Sequence, residues 1–115
     1  MVVTNYLVFN ATDDEGNSVK YIFDIYRYAD FPIEGGGIYI FGNTYYNTRD
    51  PEYFHINCTP SFSSTFTKGN LKRLLKKYQS NSILICECDD IEAMENIVNR
   101  VEKSDAFNNF YRADF

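Results

Sequence analysis

The sequence predicts a small α+β domain, in which a mostly antiparallel sheet is flanked by about three helices. Short β-branched and aromatic runs bounded by turn residues fill the first half of the chain, whereas helical periodicity dominates the second half. In addition, 17% of the 115 residues are aromatic, as ten Tyr and ten Phe with no Trp. Rings in that number supply enough buried area for a domain of this size to fold without disulfides or metals.

Residues 1–30 are predicted to form an N-terminal β-hairpin. Strands are expected at residues 6–9 and 19–26, because both runs are β-branched and aromatic. The segment between them, residues 11–18, is rich in Asp, Gly and Asn, which tolerate turn geometry. Side chains of the second strand alternate in polarity, so one face of the hairpin is expected to be buried at the edge of the sheet. That face comprises Val19, Tyr21, Phe23 and Ile25.

Three more short strands are predicted further along the chain. Glycines at positions 35, 36 and 37 allow a sharp turn or a close packing contact before an apolar strand at residues 38–41. A polar loop then leads to a strand at residues 53–56. The last strand, residues 82–88, is almost wholly apolar and is expected to be buried.

The second half of the chain contains the predicted helices. Phe62 and Phe66 are four residues apart, which is compatible with a weak helix. Residues 70–78 predict a clear amphipathic helix, with Leu and Tyr at i, i+3, i+4 and i+7 and cations opposite. Asp89 and Asp90 can cap a final helix, which precedes an aromatic tail. The expected core face of that helix consists of Ile91, Met94, Ile97, Val98 and Val101.

Charge and composition exclude several classes of protein. Sixteen acidic and eleven basic residues give a formal net charge of −5, which weakens attraction to nucleic acids and anionic lipids. The first residues lack the features of a signal peptide, and no apolar run approaches the ~20 residues of a transmembrane helix. Three cysteines do not form a secreted disulfide framework, and one His excludes a zinc site built on several histidines. A cytoplasmic protein without a membrane partner is expected.

Two short motifs on neighbouring predicted strands carry a family resemblance. Gly37, Ile38 and Tyr39 follow the glycine-rich turn. The next strand carries His55, Ile56, Asn57, Cys58 and Thr59. Together the two motifs resemble those of the GIY-YIG nuclease superfamily, whose second motif is Tyr-Ile-Gly-Gln-Thr. The resemblance covers residues 31–109 of a single domain, and leaves residues 1–30 as an added hairpin and residues 110–115 as a tail. It implies that the two motif strands are antiparallel neighbours, with residues 82–88 in the same sheet.

The resemblance implies a catalytic site from which this sequence departs. Tyr39 matches the first-motif tyrosine, which flanks the scissile phosphate in the family. His55 replaces the second-motif tyrosine, and Asn57 replaces the motif glycine. Thr65 stands where the family has an arginine that contacts the phosphate. The loss of that arginine removes positive charge that would balance the transition state.

The metal ligand of the family is a glutamate on a later helix. Glu95 is the candidate for it, although Met94 fits the same register about as well. Losing a positioned acid or base typically costs ~10²–10⁴-fold in rate, so two departures imply an inactive site. No cofactor is expected for such a degenerate member, whereas a surviving nuclease would need Mg²⁺ at Glu95.

The same residues also have structural explanations. The sequence favours a core or half-buried strand tyrosine for Tyr39 and a hydrogen-bonded strand-end histidine for His55 over catalytic roles. Cys86 and Cys88 lie on one face of a strand, and only Cys58 is left as a third soft ligand. All three are therefore expected to be buried as small hydrophobes.

A basic cluster is the remaining candidate for a binding surface. Five of the eleven cations lie within ten residues, and they are Lys68, Lys72, Arg73, Lys76 and Lys77. These side chains could contact phosphates, or they could form the solvated face of an ordinary amphipathic helix. The sequence leaves both interpretations open.

Three functions follow as hypotheses. The first is a degenerate GIY-YIG-like domain that acts as a binding or scaffold module. The second is a Mg²⁺-dependent endonuclease that uses Tyr39, His55 and Glu95. The third is a small acidic inhibitor or regulator of a partner protein. A protein partner of unknown identity is expected, and nucleic acid is expected to bind weakly if at all.

Overall fold

A five-stranded sheet forms the middle layer of the fold. The computed structural model describes residues 5–31, 33–45 and 50–112, without the side chain of Lys68. The strands are β1 (Tyr6–Thr12), β2 (Ser18–Tyr26), β3 (Gly37–Asn43), β4 (Glu52–Thr59) and β5 (Ser82–Glu87). They lie in the order β1-β2-β5-β3-β4, and each neighbouring pair is antiparallel. The predicted α+β class with a mostly antiparallel sheet is confirmed.

Four α-helices flank this sheet in the described residues. They are α1 (Phe62–Thr65), α2 (Lys68–Tyr78), α3 (Ile91–Glu102) and α4 (Asp105–Asn108). The extra helix relative to the prediction is α4, a single turn between α3 and the predicted tail at residues 110–115. None of the described helices is long and apolar enough to cross a bilayer. Residues 113–115 of the predicted tail lie outside the described part of the chain.

Side chains at the helix ends explain where the helices begin. The Thr67 hydroxyl accepts a hydrogen bond from the Asn70 backbone N–H, so α2 begins at Lys68, two residues before the predicted start. It ends where Gln79 adopts a left-handed conformation with φ of 52°. The Asp90 carboxylate accepts hydrogen bonds from Glu92 and Ala93, which confirms Asp90 as the cap of α3.

The N-terminal hairpin extends the sheet at one edge, as predicted. β1 and β2 pair over seven residue pairs without a bulge, and β2 continues the sheet by pairing with β5. Phe23 is fully buried, whereas Tyr21 and Ile25 are half-buried. The predicted buried face of the hairpin is thus confirmed in full only at Phe23.

Both faces of the sheet are covered, and strand alternation decides which side chain serves which face. Ile38 and Ile40 of β3 point to the face covered by α3 and α4, called the α3/α4 face. Tyr39 and Phe41 point to the opposite face, covered by α1 and α2 and called the α1/α2 face. This alternation fixes the location of every candidate residue on β3 and β4.

One prediction about the core was wrong. Ile91 is 66% exposed, although its spacing places it in line with Met94, Val98 and Val101. Ile91 opens α3, one turn before Met94, the first buried residue of that helix. Periodicity identifies which face of a helix is apolar, but it does not indicate how far along the helix the neighbouring layer extends.

Candidate functional site

The two motif strands lie side by side in the sheet. Tyr39 pairs with Asn57, and Phe41 pairs with His55, across the antiparallel β3–β4 ladder. The rings of Tyr39 and His55 are 6.1 Å apart, centroid to centroid. β5 pairs with β3 on its other side, so Ser82–Glu87 belongs to the same sheet. The structure therefore brings Tyr39 and His55 together on the α1/α2 face.

Tyr39 is part of the core. Its side chain is 8% exposed and packs edge-on against Phe66, with centroids 4.8 Å apart, and against Phe41 at 5.8 Å. Burial raises the pKa of the Tyr39 phenol above its ordinary value, and the proximity of Cys58 and Tyr78 adds to the effect. A phenolate, which an activated tyrosine requires, is disfavoured in this environment.

His55 lies in a stack of rings at the margin of the same cluster. Its imidazole is half-buried and stacks on Tyr78, with centroids 5.1 Å apart and planes 10° from parallel. Tyr78 in turn stacks on Phe41 at 5.3 Å, and the Lys77 ammonium lies 5.3 Å from the Tyr78 centroid. Burial and the charge of Lys77 lower the pKa of His55 below its usual range. His55 is therefore neutral near pH 7.

His55 also lines a pocket of about 310 Å³ beside β4. The other lining residues are Ile56, Glu102, Phe107, Asn108 and Tyr111. Tyr39 is not among them. The two aromatic candidates thus share a packing cluster, but only His55 of the two lines this pocket.

The candidate metal ligand lies on the other side of the sheet. Glu95 is an exposed residue of α3, whose buried residue Met94 packs in the same cluster as Ile38 and Ile40. The charge of Glu95 adds to the effect of burial in raising the pKa of the Cys58 thiol. The sheet separates Glu95 from Tyr39, which lies on the α1/α2 face.

The residues present do not fit a magnesium site. A divalent cation needs several oxygen ligands that converge on one point. The described residues contain no group of three His, Cys, Asp or Glu side chains that could hold a metal ion. Glu95 is exposed on α3 and belongs to no such group of described residues.

The position that corresponds to the family arginine is filled by a hydroxyl pair. Thr65 Oγ1 lies 2.6 Å from Thr59 Oγ1, and the Thr65 carbonyl accepts a hydrogen bond of 2.7 Å from the Asn70 side chain. Ser61, at the start of α1, accepts from the Ser64 backbone N–H. These contacts fasten the end of β4 to α1 and α2, and they give Thr59 and Thr65 structural roles.

The motif glycine also has a structural explanation. Gly37 has a φ of 149°, and a Cβ at this position would lie 2.2 Å from the Cys86 carbonyl oxygen. A Cβ at Gly36 would lie 2.4 Å from the Pro60 carbonyl oxygen. The glycines let the backbone pass between the end of β5 and the chain that enters α1, which side chains would prevent.

The three cysteines are free thiols on the α3/α4 face. Burial raises the pKa of Cys86 to about 11. Cys58 and Cys88 are half-buried and pack at the margin of the same core cluster. This arrangement agrees with the expectation of small hydrophobic side chains, except that none of the three is fully buried.

The basic face of α2 is the most distinctive surface of the α1/α2 layer. Lys72, Arg73, Lys76 and Lys77 form this basic face, and all four are exposed. The opposite side of the helix packs onto the sheet through Leu71, which is fully buried, and through Leu74, Leu75 and Tyr78. The Lys68 backbone begins the helix, but its side chain lies outside the described part of the structure.

These four cations make no ion pair with a described carboxylate. The ion pairs of the described residues join Arg100 to Asp14 and Arg112 to Glu52. The reason is visible in the sequence, since residues 53–86 contain five cations and not one Asp or Glu. The rest of the chain holds six cations against all sixteen acidic residues. The net charge of the whole chain hides this separation of cations from acidic residues. The sequence could have revealed it if charge had been counted segment by segment.

The α3/α4 layer carries the opposite charge. Its acidic residues are Asp89, Asp90, Glu92, Glu95, Glu102 and Asp105. One helical layer of the molecule is thus basic and the other mainly acidic, with the sheet between them. A scan against protein-family models finds no match for this chain, and neither does a search of curated proteins or of solved structures.

Proposed function

We propose that this protein is a non-catalytic binding module that contacts nucleic-acid phosphates through the basic face of α2. The observation that carries the proposal is the placement of four exposed cations in a segment free of acidic residues. Lysine and arginine that form no ion pair within the protein are the groups that neutralise phosphates and release counterions. The basic face therefore supplies the chemistry of a phosphate-binding surface.

The spacing of the cations supports an anionic partner. Lys72 and Lys76 are an i, i+4 pair, and so are Arg73 and Lys77, so like charges face each other along the helix. Each such pair destabilises the free helix by roughly 0.2–0.5 kcal/mol. A row of phosphates along the helix relieves that repulsion. Part of the binding free energy therefore comes from electrostatic repulsion that is present in the free protein.

The net charge of −5 does not cancel this attraction. Packed layers of secondary structure lie about 10 Å apart, so the acids of α3 are roughly 20 Å from the basic face. The Debye length at physiological ionic strength is about 8 Å. The acidic layer is therefore screened from a ligand on α2, and binding is expected to be modest and sensitive to salt.

The arrangement of the other candidate residues favours binding without catalysis. Tyr39 is held in the core, where burial raises its pKa, and Thr65 bonds to Thr59 in place of an arginine. Glu95 lies across the sheet from both. Phosphodiester cleavage needs an activated nucleophile, stabilisation of the leaving oxygen and positive charge on the other oxygens, all at one place.

We include in the proposal a distant relation to the GIY-YIG nucleases, as a degenerate member. Its support is that Gly37, Ile38 and Tyr39 lie on a strand that pairs with the strand of His55 and Thr59. β5 completes the predicted arrangement on the other side of β3. The binding function does not depend on this relation, because it is argued from α2 alone.

The proposal is tested by fluorescence anisotropy with labelled single- and double-stranded DNA across a range of salt concentrations. We expect measurable binding at low salt that falls steeply as salt rises. The double variant Lys72→Gln/Lys76→Gln is expected to reduce the slope of log affinity against log salt by about one for each phosphate that is no longer neutralised. Binding that is independent of salt, or equal for variant and wild type, would contradict the proposal.

A matched control separates location from total charge. Lys20 and Lys103 are exposed and lie outside α2, so Lys20→Gln/Lys103→Gln removes the same charge elsewhere. We expect this control to bind like the wild type. Equal loss of affinity in both variants would show that only the overall charge matters.

A nicking assay on supercoiled plasmid with Mg²⁺ or Mn²⁺ tests the absence of catalysis. We expect no metal-dependent nicking at protein concentrations that saturate the DNA. Nicking by the wild type that Tyr39→Phe or Glu95→Ala abolishes would overturn the non-catalytic part of the proposal and favour the endonuclease hypothesis.

A further inference from the structure

The two edges of the sheet differ in how they are protected. At the β4 edge, the chain after α4 covers Tyr53, which donates to the Phe110 carbonyl and accepts from the Arg112 N–H. The β3–β4 ladder is also interrupted by a bulge next to Phe41, and the Asn57 side chain accepts from the Cys58 N–H. Bulges, covering segments and local caps are the devices that prevent a sheet from pairing with another strand.

The β1 edge has none of these protections in the described structure. β1 lies at the end of the strand order, with β2 as its one neighbour. Its ladder with β2 is regular over all seven pairs. The strand sequence, Tyr-Leu-Val-Phe-Asn-Ala-Thr, contains no charge, no Pro and no Gly. Edge strands are usually protected by charges, especially Lys, or by Pro, so β1 is an unusual edge.

Exposed apolar side chains line the same edge. On the face of the hairpin that α1 and α2 leave open, Tyr6 is 56% exposed and Val8 is 38% exposed. Ile22, which pairs with Val8 from β2, is also 56% exposed. Three of the large exposed apolar side chains of the described structure are therefore neighbours at one edge.

We propose that β1 pairs with β1 of a second copy of this chain, antiparallel about a twofold axis at Val8, to form a continuous ten-stranded sheet. This register places Val8 opposite Val8 of the second copy and Tyr6 opposite Asn10. The existing β1–β2 register then produces one apolar row across four strands, in the order Ile22, Val8, Val8, Ile22. An isologous contact of this kind closes as a dimer, with no free β1 edge left.

The absence of charge along β1 favours a second copy as the occupant. β1 is uncharged, so twofold pairing brings no like charges directly opposite each other. Tyr6 pairs with Asp24 and Asn10 pairs with Lys20 within each hairpin. In the row through Tyr6, the four strands therefore carry Asp24 and Tyr6 of one copy, followed by Asn10 and Lys20 of the second copy. One end of the row is a carboxylate from one copy, and the other end is an ammonium from the second copy. On the buried side, Leu7, which is half-buried, comes to lie beside Phe9 of the second copy.

The association is tested on the full chain by sedimentation velocity from micromolar to millimolar concentration. We expect a concentration-dependent dimer that salt strengthens, because each copy carries a net charge of −5. Val8→Lys is expected to lose the dimer, since it places two cations opposite each other at the twofold axis. Ile91→Lys makes the same change at an exposed site on α3 and is expected to retain it. Thermal unfolding of each variant verifies that it is folded.

A charge swap tests the register. Val8→Lys and Val8→Glu are each expected to be monomeric, whereas an equimolar mixture is expected to regain a dimer, because opposite charges then meet across the axis. A wild type that stays monomeric throughout the range overturns the proposal, as does a Val8→Lys variant that dimerises like the wild type. A mixture that stays monomeric overturns the Val8-centred register, and a dimer that Ile91→Lys abolishes overturns the location.

Discussion

Two segments in the opposite helical layers of this protein pack on the sheet with different side chains. On the α3/α4 face, α3 contributes the flexible and branched aliphatic residues Met94, Val98 and Val101. On the α1/α2 face, the segment around α1 contributes two buried rings, Phe62 and Phe66. Rings in edge-to-face contact require specific mutual angles, whereas aliphatic side chains pack with fewer constraints. The segment around α1 is therefore the more geometrically demanding of the two.

The solvent-facing sides of the same layers differ even more. α2 and α3 have similar lengths, and side chains cap the start of both. The outer side of α2 carries only cations, whereas α3 carries Glu92, Glu95 and Glu102 with Arg100. Burial of an apolar stripe requires a polar outer side but not a particular charge. The charge of each outer surface is thus free to serve binding, and the difference between them is the reason for proposing α2 as the interaction surface.

The largest expected effect concerns the aromatic core. Phe66 is 1% exposed and its ring contacts Phe31, Tyr39, Phe41 and Phe62. Phe66→Ala is expected to lower the free energy of unfolding by about 3–5 kcal/mol, because it removes buried area and leaves a cavity among rings that cannot close it. Urea denaturation followed by circular dichroism measures the decrease.

Met94→Ala provides the comparison on the other face. Met94 is 2% exposed, and its replacement is expected to cost about 2–5 kcal/mol, toward the lower end because the unbranched thioether packs with few geometric constraints. If Met94→Ala costs clearly more than Phe66→Ala, the proposed contrast between the two segments is wrong.

The next effect tests whether the motif glycine is needed for packing alone. Gly37→Ala is expected to destabilise the protein by roughly 1–3 kcal/mol, because a Cβ would lie 2.2 Å from the Cys86 carbonyl oxygen at a positive φ. The control is Gly69→Ala in α2, where a Cβ meets nothing within 4 Å. That variant should leave the unfolding free energy unchanged or raise it by up to about 1 kcal/mol. Thermal unfolding of the two variants side by side gives the answer, and equal stability would refute the packing explanation for Gly37.

Local sequence patterns predicted most of the fold. Alternation and turn residues located the strands, and the Leu spacing located α2, because these signals depend on neighbours along the chain. Ile91 was assigned to the core and is exposed, because the extent of the sheet beneath α3 is a tertiary property. The start of α2 was missed by two residues, since Thr67, three residues before the predicted start at Asn70, supplies the cap.

The candidate site was harder to predict, because it depends on which face each helix covers. Alternation along β3 separates Tyr39 from Ile38 and Ile40, but no local pattern indicates that α3 covers the isoleucine side. The separation of Glu95 from Tyr39 is therefore visible only in three dimensions. In contrast, the acid-free segment of residues 53–86 was present in the sequence, and attention to total charge concealed it.

The smallest expected effect is a pH dependence of stability at His55, which lies beside the basic face. Burial first and Lys77 second lower the pKa of His55 in the folded protein below the value of about 6.5 expected for the unfolded chain. As the pH falls below about 6.5, the unfolded chain binds a proton at His55 more readily than the folded protein does. The free energy of unfolding therefore decreases as the pH falls from about 6.5 through the folded-state pKa. Above that window both states are neutral and His55 has no effect. His55→Phe keeps a ring against Tyr78 and is expected to lose this component of the pH dependence.

Because the chain has one histidine, proton NMR of its imidazole ring reports the folded-state pKa directly. Lys77→Gln is expected to raise the pKa of His55 slightly, since the repulsion from Lys77 is removed while burial remains. Lys72→Gln, which removes an equal charge five residues further from Tyr78, more than one helical turn, is expected to change it less. An unchanged pKa in Lys77→Gln would show that burial alone sets it. The basic face would then act on ligands without perturbing the aromatic cluster beneath it.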